Sequence, residues 1–102
     1  MMVKKMLLTA GCLSLASFSG YAAPMPGEMA AQSCAACHGT QGKLANEAFP
    51  ALAGMPKAQF VQAMTDFKSG KRASTLMIKV AEGFTPAEYE AMADYFAAQK
   101  LD

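Results

Sequence analysis

The sequence is poor in the residues that mark several common classes of protein. It has one histidine and three cysteines, so no second ligand pair is available to complete a structural zinc site beside a C-x-x-C pair. Nine basic and eight acidic residues give a formal net charge of only +1, which does not indicate a nucleic-acid-binding surface. No stretch reaches the roughly 18 consecutive apolar residues that predict a transmembrane helix. Repeats and low-complexity runs are also missing, so we expect a single small domain.

Residues 1–22 have the pattern of a secretory signal peptide. Lys4 and Lys5 form a positively charged start, and residues 6–18 form a mostly apolar segment interrupted by small and polar residues. Gly20-Tyr21-Ala22 then fits the small-x-small rule for cleavage. We therefore expect removal of this segment and a periplasmic location for the mature protein.

A lipoprotein signal is the alternative for the same segment, with Cys12 as the acylated residue. Only residues 6–11 separate Cys12 from Lys5, and this apolar stretch is short for such a signal. Cleavage after Ala22 leaves residues 23–102, with seven basic and eight acidic residues and a net charge of −1. A domain of this size usually needs a disulfide, a metal or a cofactor to be stable.

The segment Cys34-Ala35-Ala36-Cys37-His38 predicts that cofactor. C-x-x-C-H is the pattern of covalent c-type haem attachment. Two cysteines three positions apart lie on one side of a helical turn, so both thiols can form thioethers with the vinyl groups of the porphyrin. The histidine that follows can then ligate the iron as its proximal ligand. We expect one covalent haem c, with its iron, held by Cys34, Cys37 and His38.

Two other interpretations of the cysteine pair are a thioredoxin-like redox centre and a structural disulfide. A redox centre of that type is found in a βαβ setting, and the sequence contains no pattern typical of a strand. Export supports haem attachment, because c-type haem is attached outside the bacterial cytoplasmic membrane. The compartment and the cofactor are thus predicted by separate parts of the chain.

The periodicity of apolar residues predicts an all-α domain. We expect an N-terminal helix over residues 26–36 that runs into the haem motif and ends near His38 and Gly39, followed by a loop over residues 39–56 that wraps the cofactor. Residues 56–68 predict an amphipathic helix, which Ser69 and Gly70 end. The apolar stripe of that helix consists of Phe60, Val61, Met64 and Phe67.

The last two helices are predicted by their ends. A short helix over residues 75–82 should end at Gly83, a residue type that favours the position after a helix. The final helix is predicted by Thr85 as N-cap, Pro86 as the first helical residue and Glu88 as the third, which is the capping-box pattern. Its expected apolar face consists of Tyr89, Met92, Ala93 and Phe96.

The sixth ligand of the iron should be a methionine, because a single histidine excludes bis-histidine ligation within one chain. Met64 and Met92 lie on apolar helix stripes, where methionine usually fills space in the core. Met55 follows His38 by only 17 residues, within the wrapping loop. Met77 follows it by 39 residues, enough chain for a helix and a loop to reach the opposite face of the haem. We favour Met77, with Met55 as the alternative.

Taken together, these features resemble a class I cytochrome c. The resemblance covers nearly all of residues 23–102 and includes the loop sequence Pro50-Ala51-Leu52-Ala53-Gly54. It separates the chain from four-helix cytochromes c′, whose haem motif lies near the C-terminus, since 64 residues follow His38 here. The small class I cytochrome c fold, wrapped around one covalent haem, is therefore the expected architecture.

The resemblance also implies roles for individual residues. It places the sixth ligand at Met77, although Leu76 stands where many members of the class have proline. It implies that the carbonyl of Pro50 accepts a hydrogen bond from the ligating His38 and that Leu52 packs against the porphyrin. An ordinary loop proline and an ordinary core leucine are the alternatives for these last two residues.

A narrower resemblance concerns the region around Met77. Residues 67–72, 74–77 and 81–85 resemble the cytochrome subunit of flavocytochrome c sulfide dehydrogenases. This resemblance implies a flavoprotein dehydrogenase as redox partner, with other cytochromes or a terminal oxidase as further partners. Four basic residues around Met77 could steer an acidic partner, or could simply keep the protein soluble. They are Lys68, Lys71, Arg72 and Lys79.

Two classes of function are compatible with a haem domain of this kind. A His/Met-ligated haem transfers single electrons, whereas peroxide or gas chemistry requires an open sixth site and usually distal acid–base residues. No second histidine exists to act as such a residue. We therefore expect an electron-transfer protein that is not itself an enzyme, either as a diffusing shuttle or as the cytochrome subunit of a sulfide-oxidising flavoprotein.

Overall fold

Five α-helices and one short 3₁₀ helix make up the described part of the computed structural model, which covers residues 25–101. The helices are α1 (Gly27–Gln32), α2 (Ala35–His38), α3 (Lys57–Ser69), α4 (Met77–Glu82) and α5 (Pro86–Ala97), with the 3₁₀ helix at Thr40–Gly42. Residues 25–101 contain no strand, so the all-α prediction is confirmed. The predicted signal peptide, including Cys12, lies outside the described residues.

The prediction of one continuous helix over residues 26–36 is wrong. The helix is interrupted after Gln32, where the hydroxyl of Ser33 donates to the carbonyl of Ala30 at 2.7 Å. The backbone N–H groups of Ser33 and Cys34 also bond to carbonyls three residues back, at 3.2 and 3.0 Å, which tightens the chain into a turn. Serine hydroxyls commonly compete with the helical bonding pattern in this way. The haem motif therefore forms a separate helical turn, α2.

The capping box of α5 is present as predicted. The Thr85 hydroxyl accepts from the backbone N–H of Glu88 at 3.2 Å, and the Glu88 carboxylate accepts from the backbone N–H of Thr85 at 2.9 Å. The Glu88 carboxylate also accepts from the N–H of Met25 at 3.1 Å. These backbone bonds, the one from Thr85 first, lower the pKa of Glu88. The two bonds between Thr85 and Glu88 define the first turn of α5, the C-terminal helix.

Helix α5 is the centre of the core and packs against both α1 and α3. Tyr89, Met92, Ala93 and Phe96 are all buried, as the predicted apolar face requires. Close approach of α1 depends on Gly27, because a Cβ at this position would lie 2.2 Å from the carbonyl oxygen of Ala91. Any side chain there would force the two helices apart.

Helices α3 and α4 pack against each other. Helix α3 ends as predicted at Gly70, whose φ of 79° is the left-handed conformation that glycine adopts without strain. Helix α4 begins at Met77, two residues later than predicted. Gly83 follows it in a right-handed conformation, with φ of −76°, and therefore does not adopt the left-handed conformation that Gly70 adopts after α3. None of the helices in residues 25–101 is long and apolar enough to span a bilayer.

Candidate functional site

A cavity of about 690 Å³ lies between the haem motif, the loop after it, helix α3 and the segment that leads into α4. Its volume is within the range of ~300–1,000 Å³ typical of pockets for small molecules and cofactors. Cys34, Cys37, His38 and Met77, the four predicted site residues, all line it. These side chains come from positions up to 43 residues apart, so packing of the helices is what brings them together.

The haem motif forms one helical turn, which explains its spacing. The backbone N–H groups of Cys37 and His38 both donate to the carbonyl of Cys34, at 3.2 and 2.8 Å. This turn places the two cysteines on the same wall of the cavity, with His38 directly beside them. Thioether bonds to one flat ligand from both sulfurs are therefore compatible with the backbone.

The ring of His38 is held in one orientation. Its Nδ1 lies 2.7 Å from the carbonyl oxygen of Pro50. Because that oxygen can only accept, Nδ1 carries the proton and Nε2 is left with the lone pair that binds a metal. His38 is 8% exposed, and its ring lies nearly perpendicular to the ring of Phe49 at a centroid distance of 5.9 Å. The hydrogen bond to Pro50, which the family resemblance implied, is present in the structure.

The Cys34 thiol lacks the lowered pKa that is typical of a redox pair. Burial raises the pKa of the Cys34 thiol, whereas reactive thiols in redox motifs have a lowered pKa. Cys34 and Cys37 are both free, and residues 25–101 contain no cluster of three or more Cys, His, Asp or Glu side chains suited to a metal ion. Thioether attachment remains the interpretation that uses both sulfurs.

Three of the four methionines after the motif line the cavity: Met55, Met64 and Met77. Met64 is 3% exposed and belongs to the core cluster, and Met92 is fully buried away from the cavity wall. Met55 and Met77 are partly exposed, so both can present a thioether to a ligand in the cavity. The structure therefore retains the two candidates that the sequence left.

Backbone hydrogen bonds connect only one of these two candidates to the loop that follows the haem motif. The N–H of Met55 donates to the carbonyl of Leu52, and the N–H of Leu52 donates to the carbonyl of Gly42, four residues after His38. Met77 belongs to α4, which packs on α3. A residue that faces His38 across a flat ligand is expected from a separate element, which favours Met77.

Helix α4 is anchored at the end opposite Met77, a feature that sequence reasoning missed. The Tyr89 hydroxyl donates to the carbonyl of Ala81, and burial raises the pKa of Tyr89, so the hydroxyl stays protonated. Lys68 donates to the carbonyl of Phe84 at 3.2 Å, and its ammonium lies 5.7 Å from the centre of the Tyr89 ring. The sequence pattern predicts Tyr89 only as part of the apolar face of α5. It gives no sign that the Tyr89 hydroxyl bonds to Ala81.

We expect Tyr89→Phe to lower the free energy of unfolding by about 1 kcal/mol, the net value of one hydrogen bond. The ring and its packing remain, and only the bond to Ala81 is lost. Denaturant titration measures the change. Tyr95→Phe is the control, because the structure of residues 25–101 shows no hydrogen bond from the Tyr95 hydroxyl, so an equal loss in both variants would contradict the anchoring role.

The predicted basic cluster is only partly free to meet a partner. Lys79 pairs with Glu82 at 3.3 Å, and Lys68 is engaged with Phe84 and Tyr89 as described above. Arg72 lies over the ring of Phe67 and lines the cavity. Lys71 is exposed on the surface beside it. The four basic residues are therefore not equivalent, because three of them are engaged in contacts within the chain.

The residues of the cavity fit a haem. The walls are mainly apolar, which suits a porphyrin, and Leu52 and Phe60 are among the buried residues that form them. The donor set consists of two sulfurs for covalent attachment, an imidazole with a fixed proton and a thioether. This set has the ligand types that haem iron takes in c-type cytochromes.

Known proteins are similar to this chain over most of its length. A family model described as cytochrome c matches residues 25–100. The cytochrome subunit of sulfide dehydrogenase from Chlorobaculum tepidum is 36% identical in an alignment of 103 positions, which covers 88% of this chain and 93% of that protein. Cytochrome c4 from Pseudomonas aeruginosa is 36% identical over 96 residues, covering 94% of this chain and 47% of that protein.

A third relative is the thiosulfate dehydrogenase electron acceptor of Stutzerimonas stutzeri, which is 35% identical over 65 residues. The match covers 63% of this chain and 30% of that protein. The chain thus spans nearly the whole length of the C. tepidum protein and about half of the P. aeruginosa protein. It spans less than a third of the S. stutzeri protein.

Proposed function

This chain belongs to the cytochrome c family, and we propose that Cys34 and Cys37 hold its haem between His38 and Met77 in the periplasm. Family members bind haem c covalently, and the chain is an electron-transfer protein, not an enzyme. When bound, the haem supplies a one-electron iron couple. All other contributions come from the side chains of the cavity.

The observation that supports the ligand assignment is the hydrogen bond from His38 to Pro50. It leaves Nε2 with the lone pair that would bind the iron and keeps the ring from rotating. Edge contact with Phe49 and the low exposure of the ring limit access of water to this side. A ligand held this rigidly needs little rearrangement when the charge on the metal changes.

Met77 as the second ligand rests on its place in the fold. It is the first residue of α4, whose far end is tied to α3 and α5 through Lys68 and Tyr89. A thioether favours the reduced metal, so this ligand would raise the reduction potential relative to a second imidazole. Retention of both ligands also leaves no open site for peroxide or gas chemistry, which is the reason that we do not propose a haem enzyme or a sensor.

Periplasmic location follows from the signal-peptide pattern of residues 1–22, with residues 23–102 as the mature domain. N-terminal sequencing of the protein recovered from a periplasmic extract tests this assignment. Ala23 is the expected first residue, and a chain that keeps residues 1–22 would contradict it.

We further propose that the redox partner is a flavoprotein that oxidises sulfide, to which the chain binds as a fixed subunit. The support is the similarity to the C. tepidum protein over nearly its whole length, together with an apolar patch at the cavity rim. Leu76 lines the cavity and is 61% exposed, and Val80 beside it is 37% exposed. Large apolar side chains in such a position are typical of the centre of an interface.

We expect the native protein to co-purify with a flavin-containing partner and to be reduced by it at a rate that changes little with salt. A diffusing shuttle guided by charge would lose rate steeply as salt rises, because interactions between exposed charges are screened beyond about 10 Å at 0.1 M salt. Pull-down followed by stopped-flow haem reduction across a salt series makes the comparison.

Leu76→Ser provides the matching variant and should weaken the complex at least about tenfold, which corresponds to 1.4 kcal/mol. Leu101→Ser is the control, since Leu101 is similarly exposed at 58% but does not line the cavity. Recovery of no flavoprotein, with reduction that slows sharply in salt, would leave a diffusing cytochrome whose partners are other cytochromes or a terminal oxidase.

A further inference from the structure

Helix α4 carries Met77 but buries little apolar surface of its own. It is six residues long, and a helix of this length is not stable by itself in water. Ala81 is its one fully buried residue, while Val80 is 37% exposed. Segments with few buried apolar contacts are the ones that open most easily in a folded protein. The position of Met77 therefore depends on the few specific contacts that α4 makes with the rest of the chain.

The first of these contacts lies at the start of α4. The Ser74 hydroxyl accepts a hydrogen bond from the backbone N–H of Ile78 at 3.0 Å. The first N–H groups of a helix have no carbonyl partner within the helix, so Ser74 supplies one of the missing acceptors. Ile78 directly follows Met77, and Ser74 is a partly buried residue of the cavity wall. This bond fixes the backbone beside Met77 to the segment that leads into the helix.

The second contact lies at the other end of α4. The Tyr89 hydroxyl donates to the carbonyl of Ala81, and Tyr89 is only 1% exposed within α5, the centre of the core. The last turn of α4 is thereby tied to a buried and rigid element. Both contacts are made by a hydroxyl, which a substitution can remove while most of the side chain is kept.

We propose that Ser74 and Tyr89 are positioning residues for Met77, whose thioether their two hydroxyl bonds keep on the iron. This inference rests on the proposed ligation by Met77 and adds the groups that make the ligation persistent. Each hydroxyl acts through the backbone of α4 at one end of the helix. An external ligand takes the place of the thioether when α4 moves away, so loss of either bond makes that replacement faster.

Imidazole binding to the oxidised, haem-loaded protein measures this effect. Ser74→Ala and Tyr89→Phe should each speed it about fivefold, the change expected from loss of one hydrogen bond. The sulfur-to-iron absorption band should persist in both variants before imidazole is added, because the thioether is still present. Ser74→Thr keeps a hydroxyl and should bind imidazole at the wild-type rate. Haem staining on a denaturing gel establishes that each variant carries the covalent cofactor.

Three variants provide the controls, and all should bind imidazole at the wild-type rate. Ser69→Ala removes a hydroxyl that donates to the carbonyl of Asp66 at the end of α3, away from the cavity wall. Tyr95→Phe removes the hydroxyl of the other tyrosine of α5. Val61→Ala lowers the overall stability, because Val61 packs against the core from α3, but it leaves both hydroxyl bonds in place. If Val61→Ala speeds binding as much as Tyr89→Phe does, the effect reflects general stability and the proposal is overturned.

The deciding measurement repeats the two substitutions in a Met77→Ala background. Imidazole then has no thioether to replace, so adding Ser74→Ala or Tyr89→Phe should leave the rate unchanged. Equal acceleration in both backgrounds would mean that the hydroxyls control access to the cavity, which overturns the proposal. An unchanged rate in either single variant would do the same. Absence of the sulfur-to-iron band from the wild-type protein would instead overturn ligation by Met77 itself, so the two failures are distinguishable.

Discussion

Met77→Ala should remove the sulfur-to-iron absorption band of the oxidised protein and lower its reduction potential by at least about 60 mV. A shift of this size is a tenfold change in a one-electron equilibrium, and axial ligands are among the strongest determinants of haem potential. Loss of the thioether should also let external ligands such as cyanide or imidazole bind quickly. Potentiometry and visible spectroscopy of the oxidised protein measure all three effects.

Met64→Ala and Met92→Ala are the controls for that experiment. Both side chains are buried at 3% exposure or less, so truncation should cost about 2–5 kcal/mol of stability through the cavity that it leaves. The absorption band should nevertheless persist in both. Met55→Ala tests the alternative ligand, and a band that survives in Met77→Ala but disappears in Met55→Ala would transfer the assignment to Met55.

Replacement of both Cys34 and Cys37 by serine should prevent stable folding. Haem is then no longer retained, and the chain must fold around a cavity of about 690 Å³. At about 24 cal/mol per Å³, an empty cavity of this volume has an upper-limit cost on the order of 15 kcal/mol. Entry of water from the open side lowers that cost, yet a third of it is comparable with the whole stability of a small domain, about 5–15 kcal/mol.

Far-ultraviolet circular dichroism and acid–acetone extraction test this prediction. The wild-type polypeptide should keep its haem after extraction, and the double variant should release any haem into the organic layer and lose helical signal. Ala36→Ser is the control, because it changes an exposed residue within the motif and leaves both thiols. Free haem from the wild-type protein would contradict covalent attachment.

Local sequence patterns predicted those parts of the structure that depend on near neighbours. The capping box of α5 joins Thr85 to Glu88, three residues on, and the stripe of α5 follows from helical periodicity. The wrong prediction of one continuous N-terminal helix, which breaks after Gln32, has a local cause as well. The hydroxyl of Ser33 donates a hydrogen bond to the carbonyl of Ala30. Neither glycine nor proline, the residues that usually break a helix, stands at this position.

The sequence by itself determined the chemistry of this protein, because a c-type haem needs two thiols and an imidazole at fixed spacing and one helical turn provides it. Only the tertiary structure shows which residues from elsewhere in the chain line the same cavity as this motif. Pro50 meets His38, and Arg72 and Met77 enter the same cavity wall, because α3 packs on α5 and α4 is held by Tyr89. The two hydrogen bonds join residues 12 and 8 positions apart, and the cavity brings together predicted site residues up to 43 positions apart. They depend on how whole helices pack, which neither periodicity nor spacing encodes.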